Sequence, residues 1–222
     1  GCSNIEMNIQ QEIWTDFFGL AKNGNVPKTV EKGHNDGYGV VGYKQGVVAF
    51  YYRSELPPYE DDNLEKVIQL IVAADLDLAL GHLRKATKGQ RSIENNQPFI
   101  KGEYGFATNG TIHFTGLRDG ENDSKILFKN LMISENIEKV LKSLSGMDYT
   151  SATSLITDGK TISAARWFND KNFNATELEF DSYYTLYKTV GKGYRIFSSQ
   201  VTPAFEKLKV LPGLIDNYTV EK

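Results

Sequence analysis

Ile9, Ile13, Phe17 and Leu20 recur at helical spacing, Trp14 and Phe18 fall beside them, and Asn23-Gly24 follows where a left-handed C-cap would sit. These positions predict an amphipathic helix close behind the N-terminus. The period then changes: 38–43 and 47–53 are β-rich runs joined by Lys44-Gln45-Gly46, which reads as an antiparallel hairpin. Asp62 is placed to cap a helix through about Ala74, and 77–83 and 104–108 read as strands. Asp123 or Ser124 opens another helical stretch, broken or bent at Ser134-Glu135-Asn136 and ending at Gly146.

The last third reads as hairpins. Runs 153–157 and 161–167 flank Asp158-Gly159, and 183–189 and 194–199 flank Gly191-Lys192-Gly193. Hairpins grouped with a few helices, without regular strand-helix-strand alternation, predict an α+β layered fold rather than a doubly wound one. No internal repeat or Pro/Ser-rich linker divides the chain, so 1–222 is expected to be a single domain.

Composition narrows the function classes. The chain has 222 residues, 40% of them hydrophobic, enough for one sizeable core. A formal net charge of -3 with scattered basic residues lacks the footprint of a nucleic-acid binder. No apolar run approaches the roughly 18 to 20 residues of a membrane span, and no leader opens the chain, so a soluble, cytoplasmic protein is expected. Cys2 is the only cysteine, which excludes an internal disulfide and a cysteine-based zinc cluster. The three histidines, His34, His82 and His113, are widely spaced and form no helix-borne ligand pair, so neither a metal nor a cofactor is assigned.

Chemically capable residues gather in Cys2-Ser3, HNDGYG (34–39), HLRKAT (82–87) and ATNG (107–110). Each also has a structural reading. A lone cysteine packs as a small hydrophobe, Asn-Asp-Gly and Asn-Gly are turn sequences, and His82 and Arg84 share one face of a predicted strand.

Taken in order, Cys2, HNDGYG, HLRKAT, NNQPF (95–99), TNGTI (108–112) and Asp123-Ser124 resemble the class II glutamine amidotransferases. The glutaminase domain of that family begins with cysteine and continues through H-x-D-G-x-G, H-x-R-x-A-T, N-x-Q/H-P-F, N-G and D-S/T. The resemblance continues more loosely through LITDG (155–159), AAR (164–166) and FSSQVTP (197–203). It implies the four-layer α-β-β-α sandwich of N-terminal-nucleophile hydrolases, built on two mainly antiparallel sheets. By resemblance Cys2 is the nucleophile, its own α-amine the base, and the Asn109 side chain with the Gly110 N–H the oxyanion hole. Arg84 would hold the substrate α-carboxylate, Asp123 its α-ammonium, and Thr87 and the backbone near Gly37 would shape the pocket; His34 and His82 take supporting roles. The implied substrate is glutamine or another γ-glutamyl amide. The implied partner is a separate ammonia-accepting synthase subunit, because no room for a synthase domain remains after Pro203. Hydrolysis of a γ-glutamyl conjugate without ammonia transfer, and a silent binding domain, stay open beside it.

Two positions depart from the family pattern. Asn122-Asp123-Ser124-Lys125 stands where many relatives have Thr-Asp-Ser-Glu, and Lys85 stands where sugar-phosphate-aminating relatives have tryptophan. Gly1 bears on the chemistry directly, since an amide-linked Cys2 has no α-amine; it is expected to be a tag remnant in place of an initiator methionine. A lipobox remnant would also read Gly-Cys-Ser, with a lipid on Cys2. A Cys/His protease built on Cys2 lacks the local signatures of that class.

Overall fold

Alternating periods in the chain become alternating layers. The computed structural model describes residues 7–24, 33–117, 120–169, 184–191, 194–200, 202, 208–209 and 215–219, so Cys2, Tyr183, the 192–193 turn and Pro203 lie outside the described residues. Helices α1 (Met7–Asn23) and α2 (Leu64–Ala73) cover one face of an antiparallel sheet ordered β2 (Val47–Ser54), β1 (Tyr38–Lys44), β3 (Leu78–Leu83). Phe18, Val67, Ile68 and Ile71 pack there on Tyr38 and Val40. The alternate residues of β1, Val41 and Tyr43, point the other way and join Leu78 and Leu80 against Ile162 and Ala164. Burial on both faces is why 38–43 lacks a polar alternation.

The second sheet runs β11 (Ile215–Thr219), β7 (Thr161–Ala165), β6 (Thr153–Thr157), β5 (Tyr104–Asn109), β4 (Phe99–Lys101), every pair antiparallel. Its outer face is covered by α3 (Asp123–Ser134) and α4 (Ile137–Lys142), with Leu127, Phe128, Leu131 and Leu141 in one core with Phe99 and Phe106. The result is the expected α-β-β-α order. A small sheet of β10 (Leu208–Lys209), β8 (Tyr187–Gly191) and β9 (Tyr194–Ser198) is added to it. Leu186 and Phe197 from this region complete the core between the two main sheets.

Local signals were read well where they are chemical. Gln45 and Gly46 both have positive φ, 54° and 83°, the type I′ geometry that closes a two-residue hairpin. Glu135 is left-handed and ends α3, and Asn122 and Asn136 cap α3 and α4 by accepting from the amides of Lys125 and Lys139. The α2 cap needs correction. Asp62 is exposed, whereas Asp61 is buried, accepts from the Asn63 amide at 2.9 Å, and takes the hydroxyls of Tyr38 and Tyr52 at 2.8 and 2.9 Å. The residue before α2 is Asn63, and no side chain caps the helix there; Asp61 is held by the tyrosines of β1 and β2 instead. Strand β7 stops at Ala165, two residues short of the expected end, because the Trp167 carbonyl turns aside to accept from the Ala152 amide. Strands β4 and β11 were not anticipated: one is three residues long and the other, IDNYT, is a half-exposed edge with little apolar content.

Candidate active site

Strand β5 ends at Asn109, and its alternation decides where that side chain points. Phe106 enters the helix-covered core, while a Cβ on Gly105 would meet the Tyr43 hydroxyl and Leu80 of the interlayer core. Asn109, four residues on, therefore faces the space between the sheets. Its backbone is held from three sides. It pairs with Thr153 of β6, its carbonyl accepts from Ser151 Oγ at 2.9 Å, and the preceding Thr108 is gripped by the Gln97 amide. Thr108 N donates to Gln97 Oε1 at 2.7 Å and Gln97 Nε2 donates back to the Thr108 carbonyl at 3.3 Å. Gly110 has φ 144°, and a Cβ there would lie 1.9 Å from the Ser151 carbonyl oxygen. The glycine is thus required by backbone proximity, whatever its N–H does.

The HNDGYG, HLRKAT and NNQPF segments interlock. Asp36 N donates to the Arg84 carbonyl at 3.0 Å and Arg84 N to the Gly37 carbonyl at 2.9 Å. The Asp36 carboxylate accepts from the Ala86 amide at 2.7 Å and pairs with Arg91. A Cβ on Gly37, at φ 110°, would meet Asn96 Nδ2 at 2.1 Å, so glycine lets these segments touch. Arg84 is buried, and both terminal nitrogens are engaged. Nη1 donates to the Gln90 carbonyl at 3.1 Å and Asn96 Oδ1 at 3.2 Å, and Nη2 to the Lys88 carbonyl at 3.2 Å. Burial lowers its pKa, with Asp36 and Asp123 opposing.

Asp123 is the first residue of α3 and is buried. Its Oδ2 accepts from Ile112 N at 2.7 Å and its Oδ1 from Ser124 N at 2.9 Å. Burial raises its pKa, and these backbone donors pull it back. Asn122 ties the same helix start to NNQPF by donating to the Asn95 carbonyl at 3.2 Å. Thr87 Oγ1 lies 2.8 Å from Thr111 Oγ1, just beyond the Asn-Gly pair.

These expected site residues converge. Arg84, Thr87, Asn109, Gly110 and Asp123 all line one cavity of about 380 Å³, whose wall also takes in Ile13, Trp14 and Phe17 of α1. Cys2 lies outside the described residues. The supports were not legible beforehand. Gln97 stood in a motif whose role no local pattern discloses, and Ser151 carries no sequence signal, since its two backbone partners come from distant segments. Among the described residues no cluster of three His, Cys, Asp or Glu is placed to hold a metal ion.

His34 and His82 line the same cavity. Burial, with Lys85 adding to it, pushes His34 down to about 4; its Nε2 lies 3.0 Å from Gln200 Nε2. Burial, then His34 and Arg84, pushes His82 down to about 3. Both pKa values are depressed below the ordinary 6.5, so the unfolded chain binds more protons at acid pH. Stability is expected to be full above about pH 6.5 and to fall as the pH drops toward 4. Urea midpoints at pH 7 and pH 5 check this; the difference should shrink in the His34→Gln, His82→Gln double variant.

The family model of class II glutamine amidotransferases matches residues 3–145. No curated protein matches the chain in sequence. Among solved structures, a glutamine aminotransferase class-II domain protein of Silicibacter pomeroyi is 18% identical, with TM-score 0.54 over 81% of this chain and 86% of that one. The glutamine phosphoribosylpyrophosphate amidotransferase of B. subtilis is 14% identical, with TM-score 0.56 over 97% of this chain. The match covers 46% of that enzyme, so this chain spans less than half its length. A predicted glutamine amidotransferase of Pseudomonas aeruginosa is 14% identical, with TM-score 0.50 over 87% of this chain and 89% of that one. At these identities the likeness is one of fold. Among the described residues no helix is long and apolar enough to cross a membrane.

Proposed function

The chain belongs to the class II glutamine amidotransferases, and from that premise we propose that it hydrolyses the side-chain amide of glutamine or a related γ-glutamyl compound through Cys2. The observation that carries this reading is the convergence of Arg84, Asn109, Gly110 and Asp123, from separate segments of the chain, on one cavity. The Cys2 thiol passes its proton to its own α-amine, a transfer between groups that ordinarily titrate near 8.5 and 7.7–8.0. The sulfur adds to the amide carbon, and the Asn109 side-chain amide and Gly110 N–H take the oxyanion. The C–N bond breaks as the α-ammonium returns the proton to nitrogen, leaving a γ-glutamyl thioester. Water cleaves the thioester and restores the thiol.

Asp123 meets the substrate α-ammonium and Arg84 its α-carboxylate. The Lys88 and Gln90 carbonyls are neutral acceptors, and a substrate carboxylate is a charged one that forms hydrogen bonds about twice as strong. Binding therefore exchanges those carbonyls for the carboxylate and shifts the 88–90 segment. Thr87 shapes the wall beside Thr111. Ammonia passes to a separate synthase subunit or to solvent.

Asp123→Asn is expected to raise KM for glutamine by roughly 10-fold to 100-fold, the scale of one charge-assisted hydrogen bond, with kcat changed less. Steady-state glutamate release checks the split. A fall in kcat with KM unmoved would take Asp123 out of substrate binding. The reading as a whole is tested by glutamate release from glutamine and γ-glutamyl amides by a chain that starts at Cys2.

A further inference from the structure

Arg84 is a buried cation in neutral surroundings. Its Nη1 donates to the Gln90 carbonyl at 3.1 Å and to Asn96 Oδ1 at 3.2 Å, and its Nη2 to the Lys88 and Gly89 carbonyls at 3.2 and 3.5 Å. The two carboxylates nearby are engaged elsewhere. Asp36 accepts from the Ala86 amide and pairs with Arg91, and Asp123 accepts from the amides of Ile112 and Ser124. Among the described residues, therefore, no carboxylate touches the guanidinium. A buried charge is costly unless an opposite charge meets it, so the site is arranged to take its anion from outside.

Of the oxygens on Arg84, those of Lys88, Gly89 and Gln90 are main-chain carbonyls of one short segment whose residues are exposed or half-exposed. Asn96 is different. It is fully buried, and its two partners orient its side-chain amide. Nδ2 donates to the Ser54 carbonyl at 2.6 Å, an acceptor that requires nitrogen at that place, and Oδ1 is thereby turned to Arg84, a donor that requires oxygen. The main chain of Asn96 is held as well, its N–H donating to the Ile93 carbonyl at 3.2 Å and its carbonyl accepting from Arg53 Nη1 at 3.1 Å. Position 96 is the unspecified one in N-x-Q/H-P-F, so the motif assigns it no role.

We propose that Asn96 is a positioning residue for the substrate α-carboxylate, acting through Arg84. This rests on the amide-hydrolase reading and deepens it. As the carboxylate displaces the Lys88 and Gln90 carbonyls, Asn96 Oδ1 keeps its bond to Nη1 and holds the plane of the guanidinium. Being an amide, Asn96 supplies an acceptor without supplying a charge, so the positive charge of Arg84 stays available to the substrate. An aspartate of nearly the same shape would accept the same bond and cancel that charge.

The test compares two substrates in the chain that starts at Cys2: L-glutamine, and L-glutamine α-amide, which keeps the γ-amide and lacks the α-carboxylate. Asn96→Leu should raise KM for glutamine by roughly 10-fold to 100-fold, the scale of one hydrogen bond to a charged group, with kcat changed less. The preference for glutamine over its α-amide, as a ratio of kcat/KM values, should fall by a similar factor, and this ratio does not depend on how much of the protein is folded. Asn96→Asp should lower the preference at least as far although it keeps the acceptor. In an Arg84→Met background Asn96→Leu should cost little more, because its effect passes through Arg84. Should the leucine variant not fold, Asn96→Ser, a smaller side chain, takes its place in the same ratio. A preference left unmoved by these variants overturns the proposal and leaves the amide-hydrolase reading standing, as does a full additional loss in the Arg84→Met background. Inertness of the unsubstituted chain toward glutamine and γ-glutamyl amides alike removes the reading and the proposal together.

Discussion

A chain that starts at Cys2 is expected to release glutamate from glutamine or a γ-glutamyl amide, and Cys2→Ala is expected to lose on the order of 10⁴-fold to 10⁶-fold in kcat. The magnitude follows from what a carboxamide requires. It is a poor electrophile, and without a covalent nucleophile only binding and oxyanion stabilisation remain, a residue of roughly 10³ to 10⁴ over water in a comparable hydrolase. The form that keeps Gly1 separates the base from the nucleophile. Its thiol is intact, but the nitrogen of Cys2 is an amide and cannot take a proton near neutral pH, so severe impairment is expected even though the nucleophile is present. Glutamate release measured side by side on the three forms decides the matter. Equal turnover with and without Gly1 would remove the α-amine from the mechanism and require another base, for which His34 and His82 are poor choices. Their basicity is already depressed by burial, to about 4 and about 3.

How much of this was legible beforehand depends on the range of the signal. The turn at Gln45-Gly46, the caps at Asn122 and Asn136, and the break at Glu135 arise within a few residues of backbone, and the sequence pattern located most of that punctuation. The grouping of helices and hairpins sufficed for an α+β layered fold, and the α-β-β-α order came from the family resemblance. Long-range choices were not legible. No aspartate caps α2, which follows Asn63, and Asp61 is bound by two tyrosines of the sheet instead; β11 joins β7 through backbone pairing that the sequence IDNYT does not advertise. The site shows the same division. Arg84, Asn109, Gly110 and Asp123 could be nominated because ordered motifs carry them, but Gln97 and Ser151, which hold the end of β5, act through contacts 11 and 42 residues away in the chain. The engagement of Arg84 by the Lys88 and Gln90 carbonyls is likewise a property of the folded loop rather than of its composition.

Asn109→Ala is expected to cost about 10²-fold to 10³-fold in kcat, with KM for glutamine changed little. An oxyanion forms only after the thiolate has added, so a donor aimed at it contributes in the transition state and not to ground-state binding. The geometry suits that proposed role. The bonds that fix Asn109, from Ser151 to its carbonyl and from Gln97 to the Thr108 backbone, all hold main chain, which leaves the side-chain amide to the cavity. The supporting contacts provide the control. Gln97→Ala removes both bonds to Thr108 while leaving Asn109 itself in place, so it should lower kcat by less than Asn109→Ala and should lower the unfolding midpoint as well. Asn109→Asp sharpens the comparison, because a carboxylate of nearly the same shape presents negative charge to a developing negative charge and should be at least as damaging as alanine. A variant series in which KM rises while kcat holds would place Asn109 in substrate binding and leave the Gly110 N–H as the sole oxyanion donor of the pair.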